Sequence, residues 1–168
     1  MRYIVMDPSG SFDEGKGHTG VCILEGDDWE HMRSYSLAAK DFPSRHDYWK
    51  AHVNLITANP EATFVVESFM IRSDGFLVGK MPETIRLIGV LQYFMESFGI
   101  KYAFQTPVMA KARFKDEALP KYIPGLTHDV KKRRYYLNGK VVNDHMRDAM
   151  KHLLFYKRYT EAKACRTK

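Results

Sequence analysis

The apolar run Tyr3-Ile4-Val5-Met6 ends on Asp7, and a second apolar run, Thr63-Phe64-Val65-Val66, ends on Glu67. Both runs read as strands. An acid that closes a buried strand needs a reason, because Asp is a poor strand former and an unpaired buried carboxylate is costly. Asp7, followed by Pro8-Ser9-Gly10, also suits the start of a turn. Glu67 does not, since Val65-Val66-Glu67 continues an apolar run and Glu is not a turn former. A further acid, Asp148, lies in His145-Met146-Arg147-Asp148-Ala149, which opens a C-terminal helix. Acids at two strand ends plus an acid-bearing helix match the needs of a pair of divalent cations. Two such ions about 3.5–4 Å apart require several carboxylates converging from different elements.

The chain has 168 residues, 45% of them hydrophobic, without an internal repeat or low-complexity linker. One domain spanning 1–168 is expected. No stretch is long and apolar enough to span a bilayer, and the N-terminus lacks a secretory apolar core. Two cysteines, Cys22 and Cys165, do not make a disulfide framework, and Cys22 is expected to be a buried strand thiol. A cytoplasmic, reducing setting is therefore expected. The formal net charge of +6 favours a polyanionic partner.

Residues 2–7, 19–25 and 30–37 read as an antiparallel meander, with Gly26-Asp27-Asp28 as the second hairpin turn. Ser44-Arg45-His46-Asp47 resembles a capping box before a helix that reaches Ala58. Strand 63–67 follows, then a loop over 69–81. Pro82 and Gly99 bracket a long helix with the apolar stripe Ile85, Ile88, Leu91, Met95 and Phe98. A fifth strand is expected over 101–105, a short helix over 107–114 and a last helix over 143–159, while 115–141 is basic and irregular. The order β-β-β-α-β-α-β-α predicts an α/β, ribonuclease H-like fold: a five-stranded mixed sheet, three antiparallel strands then parallel ones, flanked by helices. In the last helix, His145, Asp148 and His152 share a face. Asp144 suits its N-cap, and His152 reads as a buried helix histidine rather than a ligand.

These residues carry a resemblance to the RuvC-type Holliday junction resolvases. The matching segments are Tyr3-Ile4-Val5-Met6-Asp7-Pro8-Ser9 with Thr19-Gly20-Val21, then Val65-Val66-Glu67-Ser68-Phe69, then His145 and Asp148-Ala149. The family's fourth acidic position, three residues before the final Asp, is Asp or His, and His145 fits it. Pro107-Val108-Met109-Ala110-Lys111 matches the family's lysine four residues after a proline. The family's glycine-rich continuation is replaced by Lys115 to Lys121. The short length and divergent middle resemble versions carried by phages, which implies a bacterial cell or phage-infected host.

The resemblance implies a crossover junction endodeoxyribonuclease that hydrolyses DNA phosphodiesters with two Mg²⁺ ions, Mn²⁺ being an alternative. Asp7, Glu67, His145 and Asp148 would form the metal site, with Lys111 on the scissile phosphate. It implies a homodimer on a four-way junction, with helix 82–98 a plausible interface. Expected DNA contacts are Phe69 or Met70 as an apolar wedge, Arg72, Lys80 and Lys111. The cluster Lys131-Lys132-Arg133-Arg134 is expected to meet phosphates, with Tyr135 and Tyr136 available to stack on bases. Competing readings are another nuclease of this fold, acting on RNA–DNA hybrids or flaps, and a branched-DNA binding protein without metals. Asp7 is followed by Pro8-Ser9 rather than by the Asp-x-Glu pair of proofreading exonucleases. A two-lobed phosphotransferase would need more chain than this.

Overall fold

The computed structural model describes residues 1–68 and 82–161. Phe69, Met70, Arg72 and Lys80 therefore lie outside the described residues, as do Cys165 and the basic tail Lys163–Lys168. The main sheet has five strands in the order β3-β2-β1-β4-β5. These are β1 (Arg2–Asp7), β2 (His18–Glu25), β3 (Arg33–Ala38), β4 (Thr63–Glu67) and β5 (Tyr102–Gln105). The β1–β2 and β2–β3 pairs are antiparallel, while β1–β4 and β4–β5 are parallel. This is the expected mixed sheet.

The helices are α1 (Arg45–Thr57), α2 (Pro82–Ser97), α3 (Pro107–Lys111) and α4 (Asp144–Phe155). Side chains alternate across the sheet as strand geometry requires. Ile4, Met6, Phe64 and Val66 pack with Ile56 of α1 and Leu87, Leu91 and Met95 of α2. Tyr3, Val5, Cys22, Leu24 and Val65 pack with Met146, Ala149, Met150 and Leu153 of α4. Cys22 is buried as expected, and burial pushes its thiol up.

Four local expectations need correction. The third strand starts at Arg33, because Trp29–His31 form a 3-10 turn capped by Asp28. The buried stripe of α2 is Leu87, Leu91 and Met95, whereas Ile85 and Phe98 are 41% and 59% exposed. This helix is apolar on more than one side, so periodicity alone did not select the buried phase. Asn143, not Asp144, caps α4, accepting a hydrogen bond from Met146 N–H at 2.8 Å. Asp144 points to solvent and accepts from Arg147.

The fourth correction concerns the basic stretch, which holds structure. A 3-10 helix (Asp116–Lys121) precedes a meander of β6 (Leu126–Asp129), β7 (Arg134–Leu137) and β8 (Lys140–Val142). Asn138-Gly139 turns β7 into β8 with φ of 49° and 80°. Asn-Gly is the preferred pair for such a two-residue turn, so a local signal was present. Lys131, Lys132 and Arg133 sit at the exposed β6–β7 tip, with Arg134 beside them on β7. Tyr135 is 5% exposed, stacks on His128 at 4.1 Å and lies 4.5 Å under the Arg147 guanidinium. It ties the meander to α4 and is not available for base stacking.

A buried polar network anchors the segment after Asp7. His52 Nδ1–H donates to the Tyr48 carbonyl at 2.7 Å, and its Nε2 lies 2.8 Å from Thr19 Oγ1. Thr19 Oγ1 accepts from Ser9 N–H at 3.1 Å, and Tyr48 Oη donates to the Ser9 carbonyl at 2.7 Å. Burial holds the His52 imidazole down at about 4, against an ordinary 6.5, despite its bond to the Tyr48 carbonyl. The unfolded chain therefore binds the extra proton first as pH falls. Stability is full above pH 6.5 and is lost toward pH 4, by about 3 kcal/mol from this residue. Urea unfolding between pH 7 and 4 should show a shallower decline for His52→Gln than for wild type. Parallel declines would reject the assignment.

Candidate active site

The alternation that sorts the core also places the acids. Tyr3 and Val5 face α4, so Asp7, two residues on, falls on the same face; Val65 does the same for Glu67. Met6 pairs with Val66, which sets Asp7 beside Glu67 one step further along. Asp7 pairs with Gly20 on β2, and Glu67 pairs with Gln105 on β5. Gly20, Asp7, Glu67 and Gln105 thus form a row across four strands beneath α4. At Gly20 the α4 backbone descends onto the sheet: a Cβ there would lie 2.1 Å from the His145 carbonyl oxygen.

The face of α4 that carries His145, Asp148 and His152 meets this row. His145 Nδ1 lies 2.7 Å from Asp7 Oδ2. Carboxylate oxygens of Asp7, Glu67 and Asp148 lie within 4.8 Å of one another. Lys111, at the end of α3, places its ammonium 3.1 Å from Glu67 Oε1 and 2.8 Å from Asp148 Oδ2. The acidic side chains are 8%, 11% and 19% exposed, while Lys111 and His145 are 35% and 41% exposed. The cluster is a recess open on the Lys111 and His145 side.

Concentrated charge explains the proton affinities. Burial raises Asp7, and the Glu67 charge adds to this, against the His145 hydrogen bond and the Lys111 charge. His145 is raised by its bond to Asp7, which outweighs burial. Burial opposes ionisation of both Lys111 and Asp148. It is overcome in each case by their mutual ion pair, with Glu67 assisting Lys111 and Lys151 assisting Asp148, so Lys111 moves up and Asp148 down. Hard carboxylate oxygens converging from three elements are the donor set for a hard divalent cation, and an ammonium already bridges two of them. The residues fit such an ion, with the His145 imidazole as an additional donor at the open side.

Asp7, Glu67, His145, Asp148 and Lys111 are therefore brought together. Lys131, Lys132, Arg133 and Arg134 are not part of the cluster. Lys121, at the end of a 3-10 helix, is exposed. Sequence reasoning missed Gln105, Lys151 and Asp116, and it undervalued His152. His152 is fully buried and contacts Glu67 Oε2 at 2.7 Å and Gln105 Oε1 at 2.9 Å. Its position on the Asp148 face was readable, but Gln105 could be found only through strand register.

No protein-family model matches this chain, and no curated protein does. Two solved structures from Thermus thermophilus are similar to it. RuvC in complex with Holliday junction substrate superposes with a TM-score of 0.62 at 11% identity, covering 97% of this chain and 96% of that one. A second RuvC structure gives a TM-score of 0.58 at 16% identity, covering 97% of each chain. These matches show that the chain has the RuvC fold, of the ribonuclease H-like type.

Proposed function

We propose that this protein is a metal-dependent, structure-selective DNA endonuclease that resolves four-way junctions by paired nicks. The observation that carries this is the convergence of Asp7, Glu67 and Asp148 within 4.8 Å, beside Lys111, in a chain with the RuvC fold. Asp7, Glu67, Asp148 and His145 would hold two Mg²⁺ or Mn²⁺ ions. When bound, such ions lower the pKa of an attacking water and stabilise the leaving 3′-oxygen.

The chain's own residues complete the chemistry. Lys111 keeps its charge and stands at the open side, where it can neutralise a phosphate oxygen. His145 engages Asp7 through Nδ1, which leaves Nε2 for a water or a ligand bond. Burial of the acids excludes bulk water from one side of the cluster. Ile85, Tyr93 and Phe98 are large apolar residues exposed on or next to α2, and they support a homodimer that sets two sites on opposed strands. Phe69, Met70, Arg72 and Lys80, in the stretch between Glu67 and Pro82, are proposed as junction contacts on sequence alone. Among the described residues no helix is long and apolar enough to cross a membrane. The proposed setting is the cytoplasm of a bacterial cell or phage-infected host.

The test is cleavage with Mg²⁺ of an immobile four-way junction beside a flap, a linear duplex and an RNA–DNA hybrid. Paired symmetric nicks on the junction are expected. Preferred cutting of flap or hybrid would reassign the substrate, and no cutting of any would leave a DNA-binding protein. The meander tip makes a separate prediction. Replacing Lys131, Lys132 and Arg133 by Ala should flatten the salt dependence of junction binding by up to about 3 in log–log slope. An unchanged slope would remove these cations from the interface.

A further inference from the structure

We propose that Lys151 and His152 are positioning residues of this site: each captures one oxygen of an acidic side chain and leaves the other oxygen to the centre of the cluster. The proposal rests on the metal-dependent reading above.

The same arrangement occurs twice. Glu67 Oε2 accepts from His152 Nε2–H at 2.7 Å, and its Oε1 turns toward Lys111 at 3.1 Å. Asp148 Oδ1 accepts from Lys151 at 2.8 Å, and its Oδ2 turns toward Lys111 at 2.8 Å. The terminal torsion of a free carboxylate is broad. A donor on one oxygen therefore decides where the other oxygen points.

The two donors are themselves held. His152 Nδ1 lies 2.9 Å from Gln105 Oε1, and Gln105 is 2% exposed on the strand paired with Glu67. The Lys151 ammonium lies 2.5 Å from Asp116 Oδ1, and Asp116 Oδ2 accepts from Arg147 Nε at 3.0 Å. Lys151 and His152 are 8% and 0% exposed. Burying a cationic and an imidazole side chain on adjacent residues is costly unless partners compensate. A helix that only had to pack would carry apolar residues there, as α4 does at Met150, Leu153 and Leu154. Neither residue is offered as catalytic, since each acts through the carboxylate in front of it.

Mn²⁺ binding by the full chain, measured by calorimetry and by electron paramagnetic resonance without DNA, tests this. The variants are His152→Leu, His152→Gln and Lys151→Met, each checked by circular dichroism melting. Loss of such outer partners weakens metal binding by roughly 10–100-fold, which is the effect expected for His152→Leu and Lys151→Met. His152→Gln keeps an N–H donor and should bind close to wild type. Melting temperatures of the two apolar variants are expected to fall, because each leaves a buried carboxylate without its partner, so Mn²⁺ affinity is read on the folded proteins well below their melting transitions. A merely structural role predicts the same fall in melting temperature with Mn²⁺ affinity unchanged. Folded His152→Leu and Lys151→Met proteins that bind Mn²⁺ as wild type does would overturn the proposal. If His152→Leu does not fold, Lys151→Met decides alone. A wild-type chain that binds no Mn²⁺ would instead reject the metal-dependent reading, and this proposal with it.

Discussion

Asp7→Asn should cut a four-way junction at least about 1,000-fold more slowly than wild type while binding it with similar affinity, a loss of about 4 kcal/mol in transition-state stabilisation. The side chain stands between His145 and Glu67 and is almost fully buried, so the amide keeps the volume, removes the negative charge and retains one oxygen for His145. The same substitution should not destabilise the metal-free protein. Burial raises the proton affinity of Asp7 above the ordinary carboxylate value, so the folded state binds its proton more tightly than the unfolded chain does. Folding stability therefore declines as pH rises through that window, and ionised Asp7 is a liability at neutral pH. Without divalent metal, Asp7→Asn should melt at or above the wild-type temperature. Single-turnover cleavage and calorimetric melting check both halves. Wild-type cleavage by this variant would defeat the site assignment, and a much lower melting temperature would contradict the electrostatic account.

The second large effect is structural. Gly20→Ala should destabilise the fold by on the order of 3 kcal/mol, because the added methyl has no room. It would lie 2.1 Å from the His145 carbonyl oxygen and 2.6 Å from the Met146 nitrogen, which are backbone atoms that cannot rotate aside. For a chain of this size the loss corresponds to a fall of roughly 6–12 °C in melting temperature. Gly89 is the internal control. It is exposed within α2 and a Cβ there meets nothing within 4 Å, so Gly89→Ala should raise stability by up to about 1 kcal/mol. If Gly20→Ala melts like wild type, α4 does not rest on β2 as described. Its displacement should also draw His145 from Asp7, so metal affinity is expected to fall with stability.

The strands that hold Asp7 and Glu67 were legible because each is a short apolar run that ends on an acid, the first with a turn signal directly after it. The face of α4 was legible because His145, Asp148 and His152 recur at helical spacing. What escaped depended on pairing between distant segments. Gln105 gains its meaning only from its register with Glu67, and Asp116 only from the fold of a stretch whose basic run concealed its turn signal. Gly20 carried a sign, since a glycine inside a strand often marks the close approach of another backbone. The buried phase of α2 was read only in part: Leu91 and Met95 lie in the expected stripe, but Ile85 and Phe98 are exposed and Leu87 takes their place, because apolar residues occupy more than one side of that helix and contact with the sheet selects among them.

The α4 face, with His145 on Asp7, Asp148 in the cluster and His152 behind Glu67, makes the site sensitive to phase more than to chemistry. A substitution alters one partner at a time. A single residue inserted between Asp148 and His152 would rotate everything after it by about 100° and carry His152 off Glu67 altogether. An insertion or deletion within α4 between His145 and His152 should therefore cost the site more than most single substitutions along that helix do.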